Sequence, residues 1–214
     1  MNLAEHLARQ RILAAVVIDD PDRAVPLARA LLAGGLDLME VTFRNGHAPE
    51  SIRRIRAELP AMTVGAGTLL SPGQIDAARA AGATFGLSPG FNPAVVRHAV
   101  REGFAFIPGT LTPGEMEQSL ALGCPLVKFF PAAAAGGPDF VRAIAAPYGH
   151  TALRLIPLGG IGESNLASYL SLPLVAGVGG SWLAERALVA AGRWDEITAR
   201  TRRARHLAGS VPPP

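Results

Sequence analysis

The chain has almost no lysine. Of its 20 lysine and arginine residues only Lys128 is lysine, which leaves 19 arginines. Arginine serves wherever positive charge alone is needed. It cannot serve where an amine must lose its proton and attack a carbonyl. There is one cysteine, Cys124, so no intrachain disulfide can form. It sits between Gly123 and Pro125 and reads as a small buried hydrophobe rather than a nucleophile. Five histidines, His6, His47, His98, His150 and His206, are scattered. A multi-histidine metal site is therefore not expected, which disfavours zinc-dependent carbonyl chemistry. Tyr148 and Tyr169 are the only tyrosines, and both fall in segments that read as helix or loop. No stretch reaches the ~18 uninterrupted apolar residues of a membrane helix, and the N-terminus lacks a basic start followed by an apolar core. The expectation is a soluble, cytoplasmic protein with no membrane partner. The net charge is only +3. The densest basic cluster, Arg200 to Arg205 with His206, lies in the last helical segment and reads as a solvated face. Nucleic acid is not expected as a partner; anionic small molecules are the better class.

What is present is apolar. Hydrophobic residues make up 49% of the chain and charged ones 17%, enough for one sizeable core and too apolar for disorder. The expectation is one domain over residues 1–210, with 211–214 as a loose Pro-rich tail.

Short β-rich runs alternate with Ala/Leu/Arg helical patterns. The predicted strands are 12–18, 37–43, 62–66, 83–87, 104–107, 125–130, 153–158 and 173–178. The helical patterns begin near Pro21, Ala48, Ser71, Asn92, Thr112, Gly137, Glu163 and Ser181. Ser71-Pro72, Asn92-Pro93 and Thr112-Pro113 each place a capping side chain before proline at the first helical position. Gly34, Gly82, Gly103 and Gly123 follow helical segments as left-handed closures would. Eight strands, each followed by a helix, predict an α/β fold: a (β/α)8 TIM barrel with additional N-terminal and C-terminal helices at 2–10 and 194–207. The alternative is a doubly wound open sheet. Against it, no Gly-x-Gly-x-x-Gly follows the first strand.

In such a barrel the chemistry sits at the C-terminal ends of the strands, and the unusual residues of this chain fall there. In the second strand a period of two puts Glu40, Thr42 and Arg44 on one face and Val41 and Phe43 on the other. Glu40 near Lys128 would make an acid/base pair, and Arg44 would offer a fork for a carboxylate. A structural Glu–Arg ion pair is the competing reading. Lys128 stands in the apolar run Leu126-Val127-Lys128-Phe129-Phe130-Pro131. A desolvated lysine gives up its proton more readily and can form a Schiff base; the alternative is a chance survivor of an arginine-biased composition. Gly65-Ala66-Gly67-Thr68 permits close ligand approach and adds a hydroxyl, while Ser88-Pro89-Gly90 and Pro108-Gly109-Thr110 read as turns. Gly159-Gly160-Ile161-Gly162 and Gly179-Gly180-Ser181 follow the seventh and eighth strands. Glycine pairs on those two loops, each opening a helix, suit a phosphate.

Taken together, Glu40-Val41-Thr42-Phe43-Arg44, Gly65-Ala66-Gly67-Thr68, Ser88-Pro89-Gly90, Lys128-Phe129-Phe130-Pro131, Gly159-Gly160-Ile161 and Gly179-Gly180-Ser181-Trp182 resemble the KDPG aldolase family. Its members are class I 2-keto-3-deoxy-6-phosphogluconate aldolases of the Entner–Doudoroff pathway, many acting also on 4-hydroxy-2-oxoglutarate. The resemblance spans about residues 12–190. It implies Lys128 as the Schiff-base lysine and Glu40 as general acid/base. It implies Arg44 and Thr68 at the pyruvyl carboxylate, Pro89 beside the substrate, and Gly159, Gly160, Gly180 and Ser181 around the phosphate. It also implies a homotrimer that needs no metal or other cofactor and takes a phosphorylated 2-keto acid and pyruvate. One position departs: the family often has Thr before the Gly-Gly of strand seven, where this chain has Leu158. That places the choice between the gluconate and galactonate epimers in question. A phosphosugar isomerase or epimerase with Glu40 as base, and a non-catalytic sugar-phosphate binder, are the rival readings.

Overall fold

Eight helices of eight or more residues surround two parallel sheets in the computed structural model, which describes residues 3–212. Pro213 and Pro214 of the expected tail, and Asn2 of the first expected helix, lie outside the described residues. Helix α1 (Leu3–Gln10) precedes β1 (Ile12–Val16). A 3-10 turn at Pro21–Arg23 leads into α2 (Ala24–Ala33), followed by β2 (Leu38–Thr42), α3 (Ala48–Glu58), β3 (Thr63–Gly67), α4 (Pro72–Ala80), β4 (Phe85–Leu87) and α5 (Pro93–Arg101). Two short strands, β5 (Ala105–Ile107) and β6 (Gly109–Thr110), come next. Then follow α6 (Pro113–Ala121), β7 (Leu126–Phe129), α7 (Gly137–Tyr148), β8 (Arg154–Pro157), α8 (Leu166–Leu170), β9 (Val178–Gly180), α9 (Arg186–Ala190) and α10 (Trp194–Ser210).

Helix starts follow side-chain chemistry. Ser71 accepts from Gln74 N, Asn92 from Ala94 N, and Thr112 forms a reciprocal capping box with Glu115, each with proline at the start of the helix. Such caps contribute about 1 kcal/mol each, and they fix where the connecting loops end. The helix closures need one correction. Gly34 is not left-handed (φ −82); the left-handed residue after α2 is Gly35 (φ +88). Gly34 answers a different need. A Cβ there would lie 2.5 Å from Thr201 Cβ, so the missing side chain lets α10 seat against the end of α2.

The six-stranded sheet runs in the order β5-β4-β3-β2-β1-β9 and the three-stranded sheet β6-β7-β8, all paired in parallel. The two sheets share stretches of chain. Pro108 interrupts one run, so β5 pairs with β4 while β6 pairs with β7. Proline cannot donate to a ladder, and the pairing partner changes at that residue. At the other junction Leu155 of β8 donates to Leu174 O and accepts from Ala176 N, while Val178–Gly180 pairs with Ile12–Ala14 of β1.

That junction is where the sequence reading shifts most. The run 173–178 was expected to be the eighth strand, but the strand is Val178–Gly180, with Val175 making only an isolated bridge to Leu155. Apolar burial is the same for both segments: Leu174 and Val175 are buried beside β8. Pro173 has no N–H to give, and the register with β1 decides which residues form the ladder. The helices expected near Glu163 and Ser181 start later, at Leu166 and Arg186, and each has five residues.

Side-chain parity carries the rest. On β2, Met39 and Val41 are fully buried, and on β7 so are Val127 and Phe129. Phe129 stacks on Phe140 of α7 with ring centres 5.5 Å apart. Burying a side chain of this size contributes about 2–3 kcal/mol. Because neighbours on a strand point to opposite faces, packing Phe129 under α7 turns Lys128 the other way.

Candidate active site

Glu40 and Lys128 come from strands of different sheets and meet across the interior. Lys128 Nζ lies 3.7 Å from Glu40 Oε1, with side-chain exposures of 7% and 1%. Register brings Glu40 beside Ala15 and Gly65, and Lys128 beside Gly109 and Ile156. Three of these four neighbours are alanine or glycine, which leaves room for the two long side chains. Glycine is required at Gly67 too, where a Cβ would fall 2.5 Å from Glu40 Oε2. The Lys128 ammonium also lies 5.1 Å from the centre of the Phe130 ring, within the ~6 Å of a favourable cation–π contact.

The pair opens onto a cleft of about 550 Å³ counting its open mouth. Lining it are Glu40, Thr42 and Arg44 from the end of β2, and Lys128 and Phe130 from β7. Leu158, Gly159 and Gly160 follow β8 there, and Gly180 and Ser181 close β9. Arg44 is exposed at the mouth and makes no ion pair or hydrogen bond among the described residues. Glu40 therefore pairs with Lys128, and the structural Glu–Arg pair is not formed. The N–H groups of Gly160, Ile161 and Ser181 donate no hydrogen bond among the described residues. They face the same opening from two loops, as an anion subsite needs. The two loops do not open directly into helices as expected, since α8 begins at Leu166 and α9 at Arg186.

Thr68 and Pro89 stand apart. Both follow the C-terminal ends of neighbouring strands, β3 and β4, but neither lines this cleft. Thr68 adopts φ +60, a genuine outlier for a β-branched residue and a conformation that concentrates at functional positions. Ser88 is committed to structure: its hydroxyl donates to Gly90 O at 2.8 Å and accepts from Gly109 N at 3.2 Å. Cys124 is buried near the opposite ends of the strands, and burial pushes its thiol up.

Sequence reasoning put Thr42 on the face of Glu40 without giving it a role, and did not single out Phe130, Ile161, Ala15 or Val17 as lining residues. Two of them carried a signal. Thr42 has the parity of Glu40, and Phe130 the parity of Lys128.

The family model for KDPG and KHG aldolase matches residues 3–200. A 2-dehydro-3-deoxy-phosphogluconate aldolase of Treponema pallidum (strain Nichols) is 44% identical over 209 residues, covering 98% of this chain and 99% of that protein. The KHG/KDPG aldolase of Escherichia coli (strain K12) is 39% identical over 193 residues, 90% of each chain. Among solved structures, a KDPG aldolase from Legionella pneumophila with pyruvate captured as a covalent carbinolamine intermediate superposes with a TM-score of 0.90 at 35% identity, covering 94% of this chain and 97% of that one. A parallel-stranded α/β chain with a buried lysine and glutamate facing each other across its interior, matched in this way over nearly its whole length, belongs to the KDPG and KHG aldolase family.

Proposed function

We propose that the protein cleaves 2-dehydro-3-deoxy-6-phosphogluconate to pyruvate and glyceraldehyde 3-phosphate through a Schiff base on Lys128. The observation that carries this is the buried contact between Lys128 and Glu40 at 3.7 Å inside a cleft. The free amine of Lys128 attacks the C2 ketone. Glu40 delivers the proton with which the carbinolamine hydroxyl leaves as water. The resulting iminium withdraws electrons from the C3–C4 bond; the C4 hydroxyl gives its proton to the Glu40 carboxylate as that bond breaks, releasing the aldehyde and an enamine. Protonation of the enamine carbon with help from Glu40, then hydrolysis, frees pyruvate. A carboxylate at salt-bridge distance also stabilises the cationic iminium as it forms.

Arg44 at the mouth suits the pyruvyl carboxylate, and Thr68 joins it in this reading through its place at the end of β3. Gly159, Gly160, Gly180 and Ser181 line the phosphate site in this reading, with the uncommitted N–H groups of Gly160, Ile161 and Ser181 as its donors. Pro89 is assigned beside the substrate by resemblance. Leu158 offers no hydroxyl to the carbon that differs between epimers, so discrimination between gluconate and galactonate substrates is relaxed. The two sheets are taken as one closed (β/α)8 barrel with α1 and α10 as the additional helices. A homotrimer, a cytoplasmic location and a place in the Entner–Doudoroff pathway come from the resemblance; among the described residues no helix is long and apolar enough to cross a membrane.

The test is pyruvate release from both phosphorylated epimers and from 4-hydroxy-2-oxoglutarate. Turnover of the gluconate epimer with measurable galactonate cleavage is expected. No pyruvate from any of the three would overturn the proposal.

A further inference from the structure

Two buried polar atoms in the cleft have no hydrogen-bond partner among the described residues: Glu40 Oε2 and Thr42 Oγ1. Both side chains are more than nine-tenths buried, at 1% and 5% exposure. Both line the same cleft as Lys128. Leaving such groups unpaired costs roughly 1–3 kcal/mol each, so their pairing implies a third oxygen that belongs to what the cleft binds. Residues two apart on a strand stand about 6.7 Å apart. The two side chains project from the same face of β2 and no hydrogen bond joins them, so one oxygen held between them can pair with both. A carboxylate accepts only, whereas a hydroxyl donates and accepts. The intervening group must therefore carry a proton to give to Glu40 and a lone pair for Thr42.

We propose that Thr42 and Glu40 Oε2 together form the site for the oxygen that leaves and re-enters at the carbon bonded to Lys128. This rests on the Schiff-base reading above. In the forward direction that oxygen is the carbinolamine hydroxyl. Thr42 donates a hydrogen bond to it, protonated Glu40 gives it a second proton, the C–O bond breaks with its electron pair on oxygen, and water and the iminium form. In hydrolysis the steps reverse: the same two groups hold a water, Glu40 takes one of its protons, and the oxygen bonds to the iminium carbon. Thr42 would thus be a catalytic residue for dehydration and hydrolysis, and a bystander to cleavage of the carbon–carbon bond.

The test follows oxygen. Pyruvate is incubated with enzyme in oxygen-18-labelled water, and incorporation at its ketone is read by mass spectrometry beside borohydride trapping of the Lys128 adduct. Thr42→Val keeps the shape and removes the hydroxyl. It should slow isotope exchange about tenfold, the worth of one net hydrogen bond, with pyruvate KM unchanged. Thr42→Ser should return exchange to within about threefold of wild type. Thr42→Ala carries the same expectation as Thr42→Val and stands in for it if the valine variant does not fold. Exchange by a folded Thr42→Val or Thr42→Ala protein at the wild-type rate overturns the proposal, as does a folded Thr42→Ser protein as slow as either. If the wild type itself forms no adduct and exchanges no oxygen, the Schiff-base reading fails with it; adduct formation with Thr42-independent exchange removes only the role of Thr42.

Discussion

Toward opposite ends of β2 the chain holds two ion pairs, and they are built differently. Ahead of the strand, Asp37 is bonded to His6 Nε2 at 2.5 Å and to Arg9 Nη2 at 3.2 Å, while His6 Nδ1 meets Thr63 Oγ1 at 3.4 Å. Both Asp37 oxygens and both His6 nitrogens are engaged. Further along, Glu40 is more deeply buried, yet it has only the longer Lys128 contact, and its Oε2 goes unpartnered beside an equally unpartnered Thr42. The satisfied cluster joins α1 to the β2 and β3 ends and has nothing left to offer a ligand. The unsatisfied one sits in a cleft with a carboxylate oxygen and a hydroxyl free to bind, beside the Lys128 amine. Buried polar groups are normally paired, so an unpaired set toward the C-terminal ends of parallel strands is the candidate for where a substrate completes the pairing.

Substitutions that break this contrast should separate activity from stability. The largest effect belongs to Lys128→Arg, which keeps the charge and removes the nucleophile. Cleavage should fall at least about a thousandfold, some 4 kcal/mol of barrier, with the melting temperature little changed. Initial rates of pyruvate release check this. Next is Glu40→Gln: kcat should drop roughly a hundredfold or more, the usual worth of a positioned acid/base, while pyruvate KM stays near wild type. An effect confined to KM would assign Glu40 to binding. Gly67→Ala sharpens the geometry, because its methyl would displace the Glu40 carboxylate. A shift of about 1 Å in a catalytic group can cost a hundredfold, so kcat should fall by roughly tenfold to a hundredfold with the fold retained by circular dichroism. His6→Ala lies on the other side of the comparison. It should destabilise by about 1–2 kcal/mol in urea titration and leave kcat within twofold or so, since nothing at that end faces the cleft.

Much of the site was legible because strand parity is a strict rule. Glu40, Thr42 and Arg44 had to share a face, and the single lysine stood in an apolar run where a solvated residue does not belong. What parity cannot supply is how far a chain is from another strand's loop. Thr68 and Pro89 end the right strands without being among the residues that line the cleft, and nothing local distinguishes them from Gly159 or Ser181. Boundaries failed where apolar character and hydrogen-bonding capacity diverge, as at Pro173-Leu174-Val175, buried like a strand yet displaced from the ladder by the register with β1. The glycine pairs were legible as loops. That they are followed by late, five-residue helices was not, because the start of α9 has no side-chain cap to announce it.

The central claim is that Lys128 attacks a ketone while Glu40 serves it. The most direct measurement is the mass of the intact protein, and of the peptide carrying Lys128, after incubation with pyruvate and borohydride. One reduced pyruvyl adduct on Lys128, absent from the Lys128→Arg protein, is the predicted result. A folded protein that acquires no adduct, or acquires one only at its N-terminal amine, would contradict the account.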